Sequence, residues 1–467
     1  MDYRAKLNAS QAKAHLQNIA TKIDRDMSRL RSQAEESPTA RRRWIWELIQ
    51  NAKDVPHNGG VRIQIEWDKF FGSLVFRHSG QPFSADNIRF LIEQISTKDR
   101  SKDASGLRTA TGRFGTGFLT THLLSERVTV IGVAKEPELD YKQFKFELDR
   151  SVFDLDTIRA AVKEAKQSVQ NLDDLPVYGD YHPDAFNTAF EYSICDALGE
   201  RVVNEGLADV NRCLPYALVF VPEIRGVEVS SGGRTYERIK DAEVGSSKFP
   251  QVSINDRALG QTVLSMVTEE ESFTSVSLPV EITAGQVCIL GLSDEIPRLF
   301  CDFPLVGTEC FPFPAVINDP HFGPTEPRDG VFLTTGERPN PVADANREII
   351  LRAVDLLKRL LNRAVTNGWD GLHHFANIRP FKDPPTWASG KWFDQHVVQP
   401  VRTALLHIPI VNTAAQQPAT ILDADGNQNV LFPAGSNKDI RASVSARVKT
   451  GHLFAGQNRP GFWWKVV

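Results

Sequence analysis

No stretch of the chain approaches the roughly 20 consecutive apolar residues that a membrane-spanning helix requires. The first twenty residues carry Asp2, Lys6, Gln11, Lys13 and Gln17 and lack the apolar core of a secretory signal, so the expected location is the cytoplasm. Cysteine is scarce. The five present, Cys195, Cys213, Cys288, Cys301 and Cys310, are odd in number and contain no C-x-x-C pair, which argues against a zinc knuckle or a redox couple. All five read as reduced thiols, mostly in the core. An excess of one charge is also missing: 54 Lys and Arg face 58 Asp and Glu, a net charge of −4, so any contact with nucleic acid or anionic lipid is confined to a local patch.

What is present is globular. With 41% hydrophobic and 24% charged residues, 467 residues suffice for two or three domains, each with a core of its own. Apolar spacing predicts a helix over 9–35, ended by the Glu-Glu-Ser-Pro of 35–38, and a second helix from Pro38 to Pro56 carrying Trp44, Leu48 and Ile49. Strands are expected at 61–67 and 73–76, a turn at Ser79-Gly80, a helix over 85–95 and a polar stretch over 96–113. Beyond it come a short helix at 118–124 and strands at 127–132 and 142–148. Sheet is also expected at 186–194 and 216–229, around a helix at 199–213. Ser230-Ser231-Gly232-Gly233 reads as a hairpin tip or hinge, with a domain boundary near 241–247.

Residues 250–340 alternate as strands, 341–367 form a long amphipathic helix, and 391–411 resume a helix with a short strand. The expected fold class is α+β. The domains are expected at 1–240, 248–370 and 371–467, the last a mixed segment. The apolar ending Phe462-Trp463-Trp464-Lys465-Val466-Val467 suggests that the natural protein continues.

Three segments carry chemistry. In Glu47-Leu-Ile-Gln-Asn51-Ala-Lys-Asp54, steps of four and three place Glu47, Asn51 and Asp54 on one helical face. A carboxylate there can take a proton from water, and an amide oxygen can meet Mg²⁺. Phe76-Arg77-His78-Ser79-Gly80-Gln81-Pro82-Phe83 is a strand end and a tight turn. Thr111-Gly112-Arg113-Phe114-Gly115-Thr116-Gly117-Phe118 is a glycine-rich turn opening a helix, suited to backbone N–H groups approaching a polyphosphate.

In this order and spacing the segments resemble the GHKL ATPase superfamily, in particular its Hsp90 and sacsin-like branch, over about 30–240. The resemblance implies a Bergerat-type α/β sandwich that binds ATP with Mg²⁺. It gives Glu47 the role of orienting or deprotonating the attacking water and Asn51 that of coordinating Mg²⁺, with Asp54 beside them. Gly112, Arg113, Phe114, Gly115, Thr116, Gly117 and Phe118 look like the second glycine box over the phosphates, and residues 96–111 would be the lid. There Lys98, Arg100, Lys102, Arg108 and Arg113 outnumber Asp99 and Asp103 and could offset phosphate charge. Thr188 is similar to the threonine that bonds the adenine region.

The first glycine box departs from the family. His78-Ser79-Gly80-Gln81-Pro82 stands where Asp-x-Gly-x-Gly is usual: a bare imidazole nitrogen of His78 could accept from adenine's amino group, whereas a protonated or flipped His78 would donate and suit a different base, and the sequence does not specify the tautomer. Pro82 stiffens this turn.

Residues 250–367 look like the S5-like middle or transducer domain of the superfamily, with Arg328 as the cation offered to the terminal phosphate. The resemblance implies an ATPase cycle of lid closure, with ATP-dependent homodimerisation and a client or partner that the sequence does not name. Stress handling or phage defence in bacteria fits that branch. A non-hydrolysing nucleotide sensor or scaffold is the alternative. So is a DNA-associated clamp resembling the MutL and MORC branches, for which Arg41-Arg42-Arg43 would be the patch. No phosphoacceptor hairpin precedes the segments, which disfavours a sensor histidine kinase.

Overall fold

The computed structural model describes residues 3–94, 117–151, 154–325, 328–334, 340–412, 418–431 and 453–454. The chain is mixed α+β and divides into two compact units, Met1–Ile239 with Val252–Val263 and Lys240–Gln251 with Leu264–Val467. Among the described residues, no helix is long and apolar enough to cross a membrane.

The first unit opens with helix α1 (Tyr3–Glu36), which buries Ile19, Ile23, Met27, Leu30 and Ala34 at helical spacing. Ser37 caps α2 (Pro38–Lys53), its hydroxyl accepting from Ala40 N–H while Pro38 occupies the first turn, where no N–H is needed. Strands β1 (Val61–Asp68) and β2 (Ser73–His78) form an antiparallel pair, and α3 (Ala85–Glu93) follows behind a Ser84–Asn87 capping box. A 3₁₀ helix over Phe118–Leu123 leads into β3 (Arg127–Ala134) and β4 (Lys142–Asp149). Next come α4 (Leu155–Gln170), β5 (Thr188–Ser193), α5 (Ala197–Phe220), β6 (Ile224–Val229) and β7 (Arg234–Val244).

In this unit the strand order is β7-β6-β1-β2-β5-β3-β4, parallel only between β1 and β6. Alternation buries Ile63 and Ile65 of β1, Leu74, Phe76 and His78 of β2, Phe190 and Tyr192 of β5, and Val128 and Val130 of β3. Helix α2 packs on α5, on the 3₁₀ helix and on β1, and α1 packs on α2 and α4.

Several elements differ from the sequence reading. Residues 216–220, read as strand, are the last turns of α5, which runs through Pro215. Helix α4 had no sequence-based assignment. The Ser230–Gly233 stretch is a hairpin, with Gly233 at φ +60° where a side chain is disfavoured.

Strands β8 (Ser247–Asp256) and β9 (Gly260–Glu271) are divided between the units, Val252–Val263 belonging to the first, and the second unit continues with β10 (Thr274–Thr283), β11 (Gln286–Ile289), β12 (Leu299–Cys301), β13 (Phe303–Pro304) and β14 (Val316–Asn318). Strands β9, β10, β14 and β12 lie side by side there, and α6 (Pro341–Thr366) packs on β10 through a buried stripe that includes Ile350, Val354, Leu357 and Leu361. Asn346, fully buried in α6, accepts from Gly323 N–H and donates to the Gly323 and Phe332 carbonyls, which ties the loop after β14 to the helix. Helical turns over 390–407 follow, one of them a π turn. Cys213 and Cys301 are buried as expected, whereas Cys195, in the connection before α5, and Cys310, at the end of a 3₁₀ turn, are exposed.

Candidate functional site

Helix α2 is held on both flanks by directed polar contacts. Trp44 Nε1 donates to the Val202 carbonyl at 2.9 Å and Trp46 Nε1 to Asp209 Oδ2 at 2.7 Å, both on α5. Arg41 Nε lies 2.9 Å from both Glu205 oxygens, and Arg42 Nη1 bonds Asp209 Oδ1 at 2.9 Å. Arg43, one turn before Glu47, places Nη2 3.7 Å from Glu47 Oε1. The three consecutive arginines are therefore committed to carboxylates within the unit, two of them buried, and do not form the exposed patch that the sequence suggested for nucleic acid.

Glu47 and Asn51 are both buried, and among the described residues Asn51 Nδ2 has no hydrogen-bond partner. Asp54 caps the C-terminus of α2 with its backbone N–H on the Ala52 and Gln50 carbonyls. The next loop returns to this end: Gln81 N–H donates to the Val55 carbonyl at 2.8 Å, and a methyl group on Gly80 would lie 2.7 Å from Val55 Cγ2 and 2.8 Å from His78 Nδ1. Gly80 thus permits the turn to close on α2.

The second meeting point is Gly117, which begins the 3₁₀ helix. A methyl group on it would overlap Glu47 Oε2 and lie 2.7 Å from Glu47 Cδ, so the glycine lets the chain pass directly over the carboxylate. Thr120 fixes the turn, its N–H and hydroxyl both donating to the Gly117 carbonyl at 3.0 and 2.8 Å. Phe118, buried, rests against Phe190 with ring centroids 5.2 Å apart.

His78 and Thr188 are cross-strand neighbours in the β2–β5 register, both buried, at the end of their strands. Phe190, two residues along β5, stacks on His78 at 6.4 Å and 30°. His78 Nδ1 accepts the Gly80 N–H at 3.1 Å, and burial lowers the imidazole pKa to about 3, so the ring is neutral and its proton is on Nε2. That Nε2–H is buried and unpartnered among the described residues. Of the two arrangements the sequence left open, the turn's own backbone takes the acceptor and leaves the donor. Nearby His122 is also held near pKa 3, by burial first and then by Arg150. Its Nδ1–H donates to the Glu126 carbonyl.

Burial raises the phenol pKa of Tyr192, next inward on β5, a rise that the Thr121 hydroxyl opposes.

Glu47, Asn51, Asp54, His78, Gly80, Gly117, Phe118 and Thr188 thus lie in the first unit, on α2, β2, β5 and the turns beside them. Lys98, Gly112, Arg113, Phe114, Gly115 and Thr116, and the 96–111 stretch, lie outside the described residues. Arg328 belongs to the second unit, in a turn where its N–H donates to the Thr325 carbonyl at 2.6 Å and its backbone is left-handed at φ 69°. The sequence reading missed Arg43 as the partner of Glu47 and Phe190 as the ring on His78. The i,i+4 spacing of Arg43 and Glu47 was the available signal for the first. The chain matches no family model and no curated protein.

Proposed function

We propose that the first unit is a Bergerat-type nucleotide-binding domain that binds a nucleoside triphosphate with Mg²⁺ and hydrolyses it slowly, as in the GHKL ATPases. The observation that carries this reading is the close passage of Gly117, the last glycine of the glycine-rich turn, over the Glu47 carboxylate. The described end of the segment suited to phosphate, Gly117, meets the residue suited to water activation.

Glu47, oriented by Arg43, takes the proton of a water in line with the terminal phosphorus. The water oxygen bonds to phosphorus as the bond to the bridging oxygen breaks, and the nucleoside diphosphate leaves. Asn51 suits Mg²⁺, which takes one or two protein oxygens beside phosphate and water: turning its unpartnered Nδ2 away would present Oδ1. When bound, the ion would neutralise charge developing between the phosphates. His78 and Thr188 would stand at the base end. Conformational cycling would follow from hydrolysis, and dimerisation from nucleotide binding.

Titration with nucleoside triphosphates, with and without Mg²⁺, tests the reading on wild type and Asn51→Ala. Mg²⁺-dependent binding that weakens about tenfold or more in Asn51→Ala is the expected outcome. Absence of binding in wild type contradicts the proposal.

A further inference from the structure

We propose that the site reads the base through a hydrogen-bond donor, His78 Nε2–H, and therefore takes a 6-oxopurine triphosphate in preference to ATP. This inference rests on the nucleotide-binding reading above and on the resemblance behind it, which implies that the residue at the end of β2 faces the amino group of adenine, at position 6 of the purine.

The turn fixes the polarity. Gly80 N–H donates to His78 Nδ1 at 3.1 Å, and no methyl group on Gly80 separates them. A neutral imidazole has one acceptor and one donor, so once Nδ1 is used, only a donor remains. Protonation would restore no acceptor, since both nitrogens then donate. The ring is held by Phe190 and Phe76, at centroid distances of 6.4 and 6.3 Å, and is 2% exposed. The donor is thus buried without a partner among the described residues, a state that costs free energy until an acceptor arrives.

Adenine offers an amino donor at position 6, which opposes a second donor. Guanine and hypoxanthine offer a carbonyl oxygen there, which accepts. The Thr188 hydroxyl, across the strand pair, rotates to donate or accept and so imposes no choice of its own. Discrimination of about tenfold or more is the scale expected when a buried donor is paired in one complex and opposed in the other.

The experiment is equilibrium binding of Mg²⁺ complexes of ITP, ATP and purine riboside triphosphate, which lacks a substituent at position 6, to wild type and His78→Asp. Wild type is expected to bind ITP at least tenfold tighter than the other two. His78→Asp, which replaces the donor by an acceptor, is expected to shift preference toward ATP. The wild-type comparison stands alone if the variant does not fold. Tighter binding of ATP and purine riboside triphosphate than of ITP would show Nε2–H bonding ring N1 and would overturn the inference. Equal binding of all three would overturn it too while leaving the nucleotide site standing. Absence of binding to every triphosphate would remove the nucleotide-binding reading and this inference with it.

Discussion

At Gly117 the carboxylate of Glu47 takes the space that any side chain would need. Gly117→Ala therefore forces either Glu47 or the 3₁₀ turn to move. Phosphate release is expected to fall by two orders of magnitude or more, since a base displaced by about 1 Å loses the in-line geometry. Thermal unfolding of the same variant checks that the loss is local. Arg43→Met keeps an unbranched apolar stem and removes the guanidinium that lies 3.7 Å from Glu47. Its expected signature is a fall in turnover with nucleotide affinity within about threefold of wild type, because in the proposed reading Arg43 orients the base and is not assigned to the ligand. A matching loss of affinity would place Arg43 at the phosphates instead.

Among the elements, α2 is positioned mainly by α5, through Trp44 on the Val202 carbonyl and Trp46 and Arg42 on Asp209. The start of α5 is fixed by Asp196, whose carboxylate accepts the Gly199 N–H at 2.6 Å. Asp196→Ala is expected to cost about 1 kcal/mol of stability, read as a lower urea midpoint with an unchanged slope.

Much of this layer was legible in the sequence, and the failures have physical causes. Positions 47, 51 and 54 could be placed on one helical face because that needs only the helical period. The apolar run at 216–220 could not be told from a strand, since burial on all sides removes periodicity, and Pro215 suggested a break that α5 absorbs. Helix α4 did carry signals, Asp154 as its cap and Ile158, Val162 and Ala165 at steps of four and three, though they are sparse along a mostly polar surface. The arginine run misled because its partners, Glu205 and Asp209, are more than 160 residues away in sequence. The His78 tautomer was unreadable for a related reason: a backbone N–H two residues on decides it.

For the molecule as a whole, His78 and His122 make stability depend on pH. Both are held near pKa 3 when folded and return toward the ordinary 6.5 on unfolding. The unfolded chain therefore binds more protons below about pH 6.5. Stability is full above that value and falls as pH drops toward 3, by up to about 1.4 kcal/mol per pH unit for each histidine. Urea midpoints measured from pH 7.5 to 5 are expected to decline, and His122→Gln to flatten the decline. A midpoint that rises over this interval would contradict the burial of both rings as neutral groups.

The central claim, that Glu47 activates water at a bound triphosphate, is tested most directly by Glu47→Gln, which keeps the shape of the side chain. Single-turnover phosphate release and equilibrium binding are measured on the same samples with Mg²⁺ and each of ATP, GTP and ITP. The account expects binding within about threefold of wild type and hydrolysis slowed by about 10²–10⁴. Hydrolysis at the wild-type rate in Glu47→Gln would contradict it.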